Sequence, residues 1–171
     1  MQIQYLPDSE VTHIIDQKLR LLLSASFLNN QDSEHFAQHR YYKEMPQHRF
    51  MAWEGDELAA HIAVHEKQVS IDGIEYSIAG IAEVCVNQAF RGQGLVKQLL
   101  KEVHQHRLAA GDDFALLFGE AEIYSSSGYE TTTNVLMLNP ENGWVLAGKT
   151  MAKALNNTWP SGDVKLIGLP F

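Results

Sequence analysis

Val84-Cys85-Val86-Asn87-Gln88-Ala89-Phe90-Arg91-Gly92-Gln93-Gly94-Leu95-Val96 is the stretch that decides the reading of this chain. An apolar run ends at Val86, and a polar segment with two glycines follows. Leu95, Val96, Leu99, Leu100, Val103 and Leu108 then recur at helical spacing. The stretch predicts a strand that passes through a glycine loop into a helix opening near Gln93. Gly92 and Gly94 leave the backbone open to close approach. The first amides of a helix have no intrahelical partner and sit at the positive end of its dipole. Such a loop can cradle a phosphate, with Arg91 and Lys97 adding local positive charge. A tight turn with no ligand is spelled the same way, so the loop alone leaves both readings open. A Rossmann fingerprint needs a third glycine in a first β-α turn, and a Walker loop needs Gly-Lys-Ser/Thr; neither is present.

Working outward, the segment before the loop reads as a meander. Arg49–Glu54 is one strand, Gly55-Asp56 a turn, Leu58–Val69 a second strand, and Asp72-Gly73 a two-residue hairpin turn into Ile74–Val86. Ahead of it, Ile3 and Tyr5 alternate in a first strand closed by Pro7. Asp8 and Ser9 offer a cap for a helix whose apolar face is Val11, Ile14, Ile15, Leu19, Leu22, Leu23 and Phe27. Ser33 to about Tyr42 predicts a second helix. After the loop helix, which Gly111 ends, come a buried strand Phe114–Phe118, a brief helix Ala121–Ser126 stopped by Gly128, and strands Val135–Leu138 and Val164–Ile167. The order β-α-α-β-β-β-α-β-α-β-β predicts a mixed α/β class, a mostly antiparallel sheet flanked by helices.

The chain has 171 residues, enough for a single domain over 1–171, with a core of about 1–140 and a tail over 141–171 folding back on the sheet. Lys and Arg number 13 against 21 Asp and Glu, a formal charge of −8. An acidic chain has no general attraction to nucleic acid or to an anionic membrane surface, whereas a cationic substrate is drawn to it. No segment reaches the length of a membrane span, and the start lacks the pattern of a secretory signal. Cys85 is the only cysteine, which points to a reducing, cytoplasmic setting. No metal site is expected. His35/His39 and His61/His65 lack a third ligand at suitable spacing, and His104 and His106 face different ways on a helix.

Val-x-x-x-x-Arg-Gly-x-Gly-Leu, from Val86 to Leu95, followed some way on by Tyr-x-x-x-Gly-Tyr as Tyr124 to Tyr129, resembles the GNAT superfamily of acyl-CoA-dependent N-acetyltransferases. Within it, His61 to Leu100 is most similar to the aminoglycoside 2′-N-acetyltransferases. Ala89 and Gln88 depart from residues frequent in the family, as do Leu117 and Glu120 before the tyrosine. The resemblance implies acetyl-CoA as cofactor. The backbone of Val84, Cys85 and Val86 would pair with the pantetheine arm, and the loop and helix start, from Arg91 and Gly92 through Gln93, Gly94, Leu95 and Val96, would hold the pyrophosphate.

The resemblance also implies direct transfer of the acetyl group to a primary amine in a ternary complex, and the acidic balance of the chain points to a small, cationic acceptor. Tyr124 matches the family's general acid. A phenol titrating near 10 can protonate a departing thiolate whose thiol titrates near 8.5. Glu83 is the candidate base. Strict alternation sets it opposite Ala82 and Val84, and a one-residue bulge would reverse that, so base and substrate-orienting carboxylate both stand. Glu120 and Glu122 flank the tyrosine as candidates for attracting an ammonium group. Cys85 reads as packing rather than an acyl carrier. A homodimer is compatible with the fold, although no exposed seam marks one. The rival class is a non-catalytic acetyl-CoA sensor.

Overall fold

The computed structural model describes residues 1–29 and 31–171. The chain forms two compact units, Met1–His65 with Glu83–Glu102 and Glu66–Ala82 with Val103–Phe171. Mixed α/β architecture with a mostly antiparallel sheet is observed, as the element order predicts.

The first unit opens with β1 (Gln2–Pro7), a 3-10 turn at Asp8–Glu10, α1 (His13–Ser26) and α2 (Asp32–Gln38). It continues with β2 (His48–Glu54), the start of β3 (Glu57–Ile71), the end of β4 (Ile74–Val86) and the start of α3 (Leu95–Ala110). β1 runs antiparallel to β2, and β2 antiparallel to β3, with a register irregularity between Ala52 and Trp53. The α1 cap is Thr12, whose hydroxyl accepts from the Ile15 amide at 3.3 Å. Asp8 and Ser9 lie in the 3-10 turn instead, and Asp8 is buried. Leu19, Leu22 and Leu23 pack with Phe36, Met51, Leu58 and Cys85. Ile14 lies off this stripe and is 64% exposed, since each residue turns a helix by about 100° and Ile15 already faces inward. The second helix ends at Gln38 because His39 is extended, so it is shorter than its sequence pattern suggests.

The second unit holds the other halves of β3, β4 and α3, then β5 (Phe114–Phe118), α4 (Ala121–Tyr124), a 3-10 turn at Ser125–Ser127, and β6 (Glu130–Thr131). β7 (Val135–Asn139), β8 (Gly143–Leu146), β9 (Thr150–Ala154) and β10 (Val164–Ile167) complete it. Its strand order is β6-β9-β5-β4-β3-β10-β7-β8. β5 is parallel to β4 from Ile78↔Phe114 to Ile81↔Leu117, and β10 is parallel to β7 and antiparallel to β3. Val69, Ile78, Phe114, Leu116, Val135, Val164 and Leu166 form the core. The Phe171 ring covers Gly80 so closely that a Cβ there would stand 2.8 Å from it.

Three strands are absent from the sequence reading: β6, β8 and β9. Thr150-Met151-Ala152-Lys153-Ala154 has little β propensity and no clear alternation, yet β9 pairs along all of β5 and its first three residues are buried. Leu108, assigned by its spacing to the buried stripe of α3, is 46% exposed, whereas Leu95, Leu99, Leu100 and Val103 are buried.

Candidate active site

The glycine loop takes the form its sequence suggests. Gly92 and Gly94 adopt φ of 78° and 72°, a left-handed conformation that other residues enter at a cost. Nothing stands within 4 Å of where a Cβ would be at either position, so the backbone and not packing calls for glycine. The loop's entrance is pinned by Asn87. Its amide donates to the Ala59 carbonyl at 2.8 Å, its side chain donates to Glu57 at 3.0 Å, and its Oδ1 accepts from Ala89 N at 3.0 Å. Gln98 donates to the Gly94 carbonyl at 3.1 Å, making the first helical bond of α3, so the amides of Leu95, Val96 and Lys97 precede the helical ladder. An open loop, donor amides at a helix start, and Arg91 beside them form a donor set suited to a pyrophosphate. Upstream, the β4–β5 pairing covers Ile78–Ile81, and Val84–Val86 lie beyond it. Val86, Asn87 and Arg91 also border a cleft of about 300 Å³ whose apolar wall is Leu21, Leu22 and Leu58.

Glu83 lies within β4 but departs from extended backbone. Its φ is 50°, and this left-handed residue interrupts the alternation of β4 just before Val84. Its side chain is 10% exposed and its carboxylate Oε2 accepts from Arg49 Nη1 at 3.0 Å. Arg49 is itself fully buried. It also donates from Nε to Asp8 Oδ1 at 2.8 Å and from Nη2 to the Arg40 carbonyl at 2.9 Å. Arg40 closes on Asp8 from the other side, at 3.1 and 2.9 Å, and reaches Asp16 at 3.1 Å.

His61 completes the arrangement. Its Nδ1 lies 3.0 Å from the Glu83 carbonyl, which can only accept, so Nδ1 carries the hydrogen. Nε2 is left as acceptor for Arg49 Nη1, at 3.2 Å. Burial, reinforced by the Arg49 charge, holds His61 well below the usual imidazole range, consistent with this neutral tautomer. Burial also raises the Glu83 carboxyl above its ordinary value, and the charge and hydrogen bond of Arg49 offset only part of that rise. At Asp8 the balance is reversed. Burial works to raise its carboxyl, but the hydrogen bonds and charges of Arg40 and Arg49 outweigh it and hold it low. Cys85 sits buried nearby in sequence, its thiol pushed up to about 12 by burial, so it is no nucleophile at neutral pH.

In the second unit, Tyr124 ends α4 and is 8% exposed. Its ring lies against Gly119, where a Cβ would stand 2.5 Å from Cε2, so this glycine is required by packing. Tyr129 crosses the Tyr124 ring edge-on at 6.2 Å between centroids and is hydrogen-bonded to His104 Nε2 at 2.8 Å. Burial, aided by the charge of Lys153, lowers His104 to about 4, and burial raises the Tyr129 phenol, so both are neutral at pH 7. Glu120 pairs with Lys149 on the surface and Glu122 is exposed.

The sequence reading selected Glu83, Tyr124 and the loop; it missed Arg49, Asp8, His61 and Gly119. An arginine immediately before the apolar run Phe50-Met51-Ala52-Trp53, within the same strand, was the available signal for a buried cation. Among the described residues no cluster of His, Cys, Asp and Glu could hold a metal ion, and no helix is long and apolar enough to cross a membrane.

Residues 4–132 match the sequence model of the acetyltransferase (GNAT) domain. No curated protein matches the chain by sequence. Among solved structures, a GNAT family N-acetyltransferase (YhbS) from Escherichia coli in complex with CoA is similar at 19% identity and a TM-score of 0.72, covering 97% of this chain and 89% of that one. A GNAT family acetyltransferase from Brucella melitensis in complex with acetyl-CoA aligns at 20% identity and a TM-score of 0.65, covering 95% and 94%. Escherichia coli ElaA aligns at 21% identity and 0.62, covering 89% and 98%. These structural likenesses establish the fold. With three quarters of the chain inside the sequence match, and the glycine loop within it, the protein belongs to the GNAT acetyltransferase family.

Proposed function

We propose that the protein transfers the acetyl group of acetyl-CoA directly to a primary amine of a small cationic acceptor, in a ternary complex. The observation that carries this reading is the open glycine loop at the start of α3, downstream on the chain of a left-handed, largely buried Glu83. The CoA and acetyl-CoA held by two of the similar structures support the choice of cofactor. Bound there, acetyl-CoA supplies a thioester carbonyl open to attack and a thiolate as leaving group.

The chain's own residues divide the remaining work. The amides from Gly92 to Val96, with Arg91, hold the pyrophosphate, and the backbone of Val84, Cys85 and Val86 binds the pantetheine arm as an added strand. Glu83 takes the proton of the incoming ammonium, directly or through water. A carboxylate has lone pairs enough to do this while still bonded to Arg49. Tyr124 gives its phenolic proton to the leaving sulfur. The net charge of −8 favours the approach of a polycation, which supports an aminoglycoside-like or polyamine-like acceptor in a cytoplasmic setting.

Free-thiol release from acetyl-CoA, measured against aminoglycosides, polyamines, amino acids and basic peptides, tests the proposal. Turnover confined to one cationic amine class is expected. Silence across the panel, with acetyl-CoA still raising Tm, would favour the sensor; silence with no thermal shift would remove the cofactor site altogether.

A further inference from the structure

Glu83 does not stand alone, and its surroundings in the first unit define a second role. Its carboxylate meets the Arg49 guanidinium at 3.0 Å and accepts a hydrogen bond from the backbone amide of Tyr42. Its carbonyl meets His61, and His61 is oriented by the same Arg49 nitrogen that binds the carboxylate. One buried side chain on β2 therefore fixes Glu83 twice, through the carboxylate directly and through the left-handed backbone by way of His61. The fork is held by Asp8 at its Nε and by the Arg40 carbonyl at its Nη2, so all three guanidinium nitrogens are committed.

From this we infer that Arg49 is a positioning residue for Glu83, held in place by Asp8, and that this pair sets both the aim and the proton affinity of the carboxylate. The inference rests on the reading of Glu83 as the base. It goes beyond that reading in naming residues that touch neither amine nor thioester. The groups facing Glu83 give it a signed consequence. Arg49 lies on β2, His61 on β3, and Asp8 and Arg40 follow β1 and α2. Of these, Arg49 favours the ionised carboxylate and Asp8 opposes it, so removing one or the other moves Glu83 in opposite directions. A residue that merely supported the fold would not produce opposite signs.

The test is a pH titration of the Glu83 side-chain carbonyl by 13C NMR, assigned through Glu83→Gln, in the full-length protein and in Arg49→Met, Arg49→Lys and Asp8→Asn. The Glu83 midpoint is expected to rise by about one to three pH units in Arg49→Met and to fall in Asp8→Asn. With the acceptor that the thiol-release panel identifies, Arg49→Met should lose about 100-fold in kcat at pH 7 and recover part of it at higher pH, with KM for acetyl-CoA unchanged. Arg49→Lys, which keeps the charge but not the fork, should keep the midpoint near wild type and still lose kcat. A midpoint that stays put in a folded Arg49→Met, or that moves the same way in Arg49→Met and Asp8→Asn, overturns the inference. If neither Arg49 variant folds, a rise in Asp8→Asn does so by itself. Full turnover in Glu83→Gln is a separate failure: it removes Glu83 as base and leaves the titration result intact.

Discussion

The two units bury polar groups by opposite means. Around Glu83 acidic and basic groups are paired, and Arg40, Asp8, Arg49 and Glu83 alternate along a chain of hydrogen bonds. Around Tyr124 they are neutral. Tyr129 and His104 share one hydrogen bond, and burial drives each toward its uncharged form. The first arrangement fixes a carboxylate in a rare backbone conformation but depends on every partner, because an unpaired buried charge costs several kcal/mol. The second tolerates loss of a partner better and supplies a dry, apolar wall for an aromatic ring. The contrast suits the proposed roles, an anion that must remain aimed and a phenol that must keep its proton until the thiolate leaves.

The largest expected effects concern turnover. Tyr124→Phe should lower kcat by about 10²- to 10⁴-fold, with the acetyl-CoA affinity measured by calorimetry nearly unchanged. Equal kcat in the variant would leave the phenol with a packing role only. Next comes stability on the charged side. Arg49→Met leaves Glu83 without its cation and Asp8 with Arg40 alone, and should cost about 3 to 5 kcal/mol in denaturant unfolding. His104→Phe, on the neutral side, should cost far less. Equal losses would erase the distinction between the two regions.

Gly119→Ala sharpens the comparison from the neutral side. Its methyl meets the Tyr124 ring, so it should destabilise the fold by about 1 to 3 kcal/mol and reduce kcat without altering acetyl-CoA affinity. Wild-type activity and Tm together would contradict the packing described here.

These sites differ in how much of them could be read beforehand. The loop and hairpin were legible because local chemistry dictates them: Asp72 and Gly73 both take the positive φ their turn requires, and Gly92 and Gly94 do the same. Tyr124 was singled out only by the resemblance of the stretch from Tyr124 to Tyr129 to the family's motif. Arg49 was not legible, because its burial depends on two carboxylates, Asp8 and Glu83, that lie 41 and 34 residues away along the chain, and no local pattern records such a partnership. Glu83 was half legible. Alternation sets its face, but the left-handed turn that re-aims it has no glycine or asparagine to announce it and is held by His61. β9 was hidden for the same reason as Arg49, since its alanines gain a place in the sheet only from β5.

Acid should reach both regions, and the sign follows from the direction of each shift. His61 and His104 are held below their unfolded values, so the stability they contribute is complete above about pH 6.5. It is lost as pH falls, when the unfolded chain takes up protons that the folded chain refuses. For His104 the loss runs from about 6.5 down to about 4, at about 1.4 kcal/mol per pH unit. Asp8, held low by its arginines, adds a loss below the ordinary carboxylate range. Glu83, held high, opposes these. Its ionised form is disfavoured in the fold, so it contributes stability at low pH that disappears as pH rises through its own midpoint. Chemical denaturation from pH 8 to pH 4 should therefore show declining stability, reduced in slope by His104→Phe. An unchanged slope in that variant would deny the buried neutral histidine. Smallest of all, Lys149→Ala removes only a surface pair with Glu120 and should leave Tm unmoved.

The central claim, that the loop from Arg91 to Val96 holds acetyl-CoA, is tested most directly by calorimetric titration of acetyl-CoA into the protein and into Gly94→Val. Saturable binding to the protein is predicted. It should weaken at least tenfold in Gly94→Val, because a β-branched residue resists a φ of 72° and crowds the amides at the helix start. No binding to the protein, or equal affinity in a folded Gly94→Val, would contradict the account.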